Sequence, residues 1–168
     1  YASEFRYRTP IIDKSTLFMV ISQSGETADT LGSLILANEL GAKTLAITNV
    51  LGSTISRKAQ NVLYTHAGPE ISVASTKAFM TQVTVGYVLA LHVGIVRGTL
   101  SKEEVARHET DLLKLPNLLS FALQFDKQIE RIARKYGKSN NFLFLGRGIL
   151  YPIALEGALK LKEISYVH

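Results

Sequence analysis

The sequence contains no cysteine in its 168 residues. Disulfides, thiolate metal sites and a cysteine nucleophile are thereby excluded within it. Charged residues are also few, at 20% against 46% apolar. That is the balance of a globular α/β domain and not of a disordered segment. No GxGxxG motif and no P-loop glycine–lysine motif occurs, so nucleotide binding by those routes has no support. Nor is there a G-x-S-x-G nucleophile elbow. No two of the four histidines stand at metal-ligand spacing, and no metal site is expected. No signal peptide is recognisable. The longest apolar run, residues 83–96, is interrupted by Gly86, His92 and Gly94. It falls short of the roughly 20 residues a membrane span needs. The expectation is a helix buried on nearly all sides, with His92 as a core residue, and no membrane association.

Formal charge is +5. Much of the excess lies in residues 127–138, where Lys127, Arg131, Arg134, Lys135 and Lys138 face only Glu130. This reads as a solvated helix face. A nucleic-acid footprint needs a concentrated basic stripe with groove-reading or aromatic partners, which is lacking, so no nucleic-acid partner is expected.

Residues 17–21 (LFMVI) form a continuous apolar run that polar residues end abruptly, the pattern of a buried parallel strand. A helical pattern follows over 28–40, with Leu31, Leu34, Ile35 and Leu36 toward the sheet and Gly41 placed for a left-handed end. Residues 44–47 and 62–65 read as further strands, with a short helix from Gly52-Ser53 between them. This alternation implies βαβ units and a layered α/β fold. Residues 73–96 read as one long helix. Ser101 and Glu104 form a capping box opening another, which Pro116 is expected to break after about Leu113. Leu118, Phe121, Phe125, Ile129, Ile132 and Tyr136 recur at steps of three and four, the apolar face of a second amphipathic helix. Residues 140–145 (NNFLFL) read as a new strand closed by Gly146-Arg147-Gly148, and Pro152 precedes a helix to about Glu163. The strand–glycine–helix plan thus occurs twice. The expected organisation is a first subdomain over 1–136 and the incomplete start of a second over 137–168, as in a fragment.

Two stretches carry candidate chemistry. Ser22, Ser24 and Thr27 lie within six residues, just past a strand and at a helix start. Two roles are open: a helix cap formed by Ser24 or Thr27, or a phosphate cradle of hydroxyls and unpaired amides. In the second, Gly25 admits close backbone approach and Gln23 offers an amide to sugar hydroxyls. Glu26 counts slightly against an anion there, although it can point away or complement the helix dipole. The segment Ser72-Val73-Ala74-Ser75-Thr76-Lys77 again places hydroxyls at a helix start, and Ser75 could reach a second part of the same ligand. Glu156, Lys160 and Glu163 are spaced by four and three on one helical face. They form either a surface ion-pair ladder or a proton-transfer group, with a carboxylate moving a proton between adjacent carbons and an ammonium stabilising developing charge. His66, in the loop after a strand, could line a cleft.

Residues 2–8 (ASEFRYR), 22–30 (SQSGETADT), 73–82 (VASTKAFMTQ) and 146–168 (GRGILYPIALEGALKLKEISYVH) together resemble the isomerase domains of glutamine–fructose-6-phosphate amidotransferases, within the wider sugar isomerase (SIS) superfamily. The resemblance implies an α/β fold, a SIS-type three-layer αβα sandwich with a parallel, flavodoxin- or Rossmann-like sheet. It implies that Ser22, Gln23, Ser24 and Thr27 bind phosphate and sugar, that Val73 and Ser75 form a second substrate-contacting segment, that Glu163 shuttles a proton between C1 and C2, and that Lys160 and Glu156 assist. It further implies conversion of fructose 6-phosphate and glutamine-derived ammonia to glucosamine 6-phosphate without a cofactor. An N-terminal glutaminase domain, a homodimer and a cytoplasmic location belong to the same expectation. The family's glutaminase cysteine, the glycine–threonine–serine turn of its first strand, its ring-opening histidine and its C-terminal lysine are not among these residues, so the chain by itself is expected to be inactive. Two other readings use the same cradle: a stand-alone SIS-family sugar-phosphate isomerase or deglycase, and a SIS sugar-phosphate sensor of a regulator. The sensor would not need Glu163 and Lys160.

Overall fold

A computed structural model describes residues 1–168. The chain divides into two units, Tyr1–Ala90 and Leu91–His168, with the boundary inside a helix.

In the first unit, a short α1 (Ala2–Phe5) precedes β1 (Leu17–Ser22), α2 (Ala28–Glu39), β2 (Lys43–Thr48), α3 (Thr54–Lys58) and β3 (Asn61–Tyr64). The strands pair in parallel in the order β1-β2-β3. The register aligns Ser22 with Thr48 and Thr48 with Tyr64, so the loops after all three strands leave from one edge of the sheet. Val20, Leu34, Ala46 and Ile55 form the core, with Phe18, Leu31, Ala59 and Val62 packed against it. Fully burying a side chain such as Leu34 or Ile55 contributes about 1.5–3 kcal/mol. Asn38 ties α2 to the rest. Its Nδ2 donates to Lys58 O, and its Oδ1 accepts from buried Thr44 Oγ1, which in turn accepts from Gln60 N.

The structure departs from several of the sequence-based expectations. β2 is buried along nearly its whole length, but β1 is buried only at Val20 and Ser22, and Leu17, Met19 and Ile21 are exposed. An apolar run looks the same whether one or both faces are covered, and β1 lies at the sheet edge. On α2, Ser33, Leu34 and Ala37 are buried while Ile35 is exposed. Ile35 lies one residue, about 100°, round the helix from Leu34. Gly41 does adopt a left-handed φ of 83°, and Ala42 N donates back to Ala37 O.

The next helix, α4, spans Lys77–Val96, starting four residues later than expected. The Glu70 carboxylate accepts the N–H groups of Thr76 and Ala78 and fixes that start. Nor is α4 buried on nearly all sides. Ala78 is buried, but Val83, Val88, Val93, Ile95, Val96 and also His92 are exposed. Burial all round needs neighbours on every side, which periodicity cannot report. By length and composition alone α4 is long and apolar enough to cross a membrane.

In the second unit, α5 (Lys102–Ala122) opens with the expected capping box. Ser101 Oγ accepts from Glu104 N and Glu104 Oε2 accepts from Ser101 N. Pro116 lies inside α5 and does not end it. A proline removes one rung of the ladder, and the flanking turns keep theirs. The apolar series from Leu118 to Tyr136 is divided among α5, a 3-10 turn (Leu123–Phe125) and α6 (Asp126–Tyr136), with its members exposed. The basic cluster is a solvent-facing helix side on which Arg134 pairs with Glu130. Residues 140–145 form no strand. Phe142 N donates to His168 O, and no second chain segment supplies a ladder. The stretch packs instead on α7 (Leu150–Ser165), with the Phe144 ring against Gly157. Pro152 sits in the first turn of α7, where a missing N–H is tolerated.

Candidate active site

The hydroxyl-rich loop follows directly from β1. Ser22, its last residue, is 6% exposed. Its Oγ lies 3.0 Å from Thr27 Oγ1 and accepts Gly25 N at 3.1 Å, while Ser24 Oγ accepts Glu26 N at 3.2 Å. Thr27 occupies the N-cap position of α2, yet no side chain caps that helix. The first-turn amides, with the positive end of the helix dipole, therefore stay open toward the loop. Gly25 has φ of 65°, and a Cβ there would collide with the Ser53 side chain and lie 2.9 Å from Thr48 Oγ1. Thr48 Oγ1 is fully buried and bonds no protein group.

Glu26 points away from the loop. Its carboxylate accepts Thr54 N at 2.7 Å, and beside it Gly25 O accepts Ile55 N at 2.9 Å. The Thr54 backbone hydrogen bond holds the Glu26 carboxyl below its ordinary range, with Arg57 adding a smaller contribution. Two adjacent loop residues are thus stitched to two adjacent residues at the start of α3.

Gln23 lines an open pocket with Asn49, His66 and Glu70. Asn49, which sequence reasoning did not single out, organises its wall. Asn49 Oδ1 accepts Thr65 Oγ1 and Ala67 N, and Nδ2 donates to Gly68 O. The only signal for it was an asparagine directly after β2. His66 adopts a left-handed φ of 52°, uncommon outside glycine, and does line the pocket. Val73 is exposed and Ser75 half-buried in the segment before α4. Glu70, at the pocket rim, anchors that segment through its bonds to Thr76 and Ala78, and the Ala78 amide bond is the largest cause lowering its carboxyl pKa.

In the second unit, α7 brings Glu156, Lys160 and Glu163 together. Lys160 Nζ is 2.8 Å from Glu163 Oε2 and 3.2 Å from Glu156 Oε1. The Lys160 side chain is 25% exposed. The hydrogen bond to Glu163 is the main cause raising the Lys160 pKa above its ordinary value. An ammonium held between two carboxylates can steady either one as an anion or donate to an oxygen that becomes negative.

A parallel-sheet α/β unit with a hydroxyl-lined loop at the sheet's C-terminal edge belongs to the class of open α/β domains, in which ligands bind outside the carboxyl ends of the strands. The SIS domain model matches residues 1–92, more than half the chain, and the chain belongs to the SIS domain family. It is 54% identical over 167 residues to the glutamine–fructose-6-phosphate aminotransferase (isomerizing) of Clostridium tetani, covering 99% of this chain and 28% of that protein. It is 52% identical over 166 residues to the enzyme of the same description from Methanosarcina acetivorans, covering 99% and 27%. The C-terminal domain of glucosamine-fructose-6-phosphate aminotransferase from Francisella tularensis superposes with a TM-score of 0.96 at 42% identity, over 99% of this chain and 48% of that one. The chain therefore spans little more than a quarter of the length of these curated relatives.

Proposed function

We propose that this chain forms a sugar-phosphate-binding and isomerising part of a glutamine–fructose-6-phosphate aminotransferase. The observation that carries the reading is the Glu156–Lys160–Glu163 constellation on α7, within a chain 54% identical to such an aminotransferase over almost its whole length. Ser22, Gln23, Ser24 and Thr27 bind the phosphate and neighbouring sugar hydroxyls, and Val73 and Ser75 contribute a second contact. Ammonia released from glutamine by a glutaminase domain attacks C2 of the open-chain fructose 6-phosphate, and water leaves. Glu163 then takes a proton from C1 and returns it to C2. Lys160 assists proton transfer at the sugar oxygens, and Glu156 steadies Lys160. Glucosamine 6-phosphate and glutamate are the products. A homodimer in the cytoplasm belongs to the same reading.

Soaking fructose 6-phosphate into crystals of the chain tests it. The phosphoryl group is expected against Ser22, Ser24 and Thr27 at the start of α2. A phosphoryl group bound elsewhere, with those hydroxyls still bonded only to protein, overturns the assignment.

A further inference from the structure

We propose that Glu26 is a positioning residue for the Ser22–Thr27 loop, acting through the N–H of Thr54. The proposal rests on the sugar-phosphate reading of that loop. A carboxylate inside a phosphate-binding turn would ordinarily oppose a dianion. Here it is turned onto the start of α3, where it accepts Thr54 N at 2.7 Å. The neighbouring pair, Ile55 N to Gly25 O at 2.9 Å, makes the link two-pronged. Between the prongs Gly25 is pressed against the Ser53 side chain, so loop and α3 meet with no slack. The loop's own hydroxyl bonds, Ser22 with Thr27 and Ser24 with Glu26 N, hang from this fixed point. One side chain therefore does two things. It takes its own negative charge away from the start of α2, and it sets the backbone path that presents the Ser24 hydroxyl and the α2 amides to a ligand.

The two ends of the link can be cut separately. Glu26→Ala removes the acceptor. Thr54→Pro removes the donor and leaves the α3 backbone in place, at the cost of the exposed Arg57 Nη2 bond to Thr54 Oγ1, because Thr54 is the first residue of that helix and Ser53 before it has φ −61° and ψ 161°, a conformation proline accepts in its predecessor. Fructose 6-phosphate binding to the full chain is measured by calorimetry, with thermal melting alongside. Each single variant is expected to weaken binding about tenfold, the scale of one lost charge-assisted hydrogen bond. The double variant is expected to be no weaker than either single, since both cut the same bond. Glu26→Gln keeps an acceptor without the charge and is expected to restore most of the affinity, a rescue that general loss of stability would not give. Wild-type affinity in Glu26→Ala, tighter binding from relief of repulsion, or losses that add in the double variant overturns the proposal. If the wild-type chain binds no fructose 6-phosphate, the sugar-phosphate reading fails and takes this inference with it. If it binds and Glu26→Ala binds equally well, only the inference fails.

Discussion

Lys160 Nζ sits 2.8 Å from Glu163 Oε2, one turn along α7, with Glu156 on its other side at 3.2 Å. The lysine is the centre of the group, and its protonation is tied chiefly to Glu163. Because its folded-state pKa is raised, its contribution to stability is complete below the ordinary lysine value of 10.5 and is lost as pH rises through the raised value. A carbon-detected NMR titration of Lys160 is expected to show a midpoint above 10.5, and Glu163→Gln is expected to lower it. A midpoint unmoved by that substitution would remove Glu163 as the dominant partner.

The same substitution separates binding from chemistry. The proposed function gives Glu163 proton transfer and not phosphate recognition, so Glu163→Gln in the chain is expected to leave fructose 6-phosphate affinity within about twofold. In a full-length aminotransferase carrying this chain, C1-to-C2 proton exchange followed in deuterium oxide is expected to fall by about 10²–10⁴-fold. The chain alone, supplied with ammonia and fructose 6-phosphate, is expected to form no glucosamine 6-phosphate, because it spans 28% of the length of such an enzyme. Turnover by the isolated chain would overturn this division of roles.

What the sequence disclosed were features whose causes are local. Gly41 ends α2 because a left-handed residue was needed there, and Ser101 and Glu104 cap each other over one turn. Val20, Ala46 and Val62 mark three strands by apolar run and spacing. The reach of Lys160 to both carboxylates followed from helical steps of four and three. What it withheld depends on neighbours. Phe142 to Leu145 look like a strand, yet no partner strand pairs with them. Ile35 is as apolar as Leu34 but faces out, and α4 reads as core but lies largely exposed. Neither the Thr54 partner of Glu26 nor the wall that Asn49 organises could be read in advance, because the partners lie 28 and up to 19 residues further along the chain.

Glu70 links acidity to the segment that carries Val73 and Ser75. Its carboxyl pKa is lowered, mainly by the amide of Ala78, so its contribution to stability is present above the ordinary value of 4.5 and is lost as pH falls through the lowered value. Hydrogen-exchange protection at Thr76 and Ala78 is expected to fall in acid, before the β2 amides lose theirs. Glu70→Gln, which keeps an acceptor, is expected to retain protection in acid that the wild type loses. Equal acid sensitivity in the two proteins would show that another group anchors the start of α4.

Gly25 carries two penalties for any side chain, and they can be separated. Its φ of 65° disfavours alanine, at about 1–2 kcal/mol for a left-handed residue. A Cβ would also collide with Ser53 and crowd Thr48 Oγ1. Gly25→Ala is therefore expected to lose about 2–4 kcal/mol of stability in urea unfolding, the backbone penalty plus one overpacked contact. Adding Ser53→Gly removes the collision with Ser53 but neither the backbone strain nor the crowding at Thr48 Oγ1. It also replaces the side chain that accepts Ser56 N at the start of α3, a change costing only a few tenths of a kcal/mol because glycine is an acceptable N-cap. The double variant is expected to recover roughly half of the lost stability, the share owed to the collision. Full recovery would mean that the left-handed backbone is cheap at this position. No recovery would mean that the loop moves aside to admit the methyl group, in which case, on the proposed reading of that loop as the phosphate site, fructose 6-phosphate affinity is expected to fall more steeply than stability does.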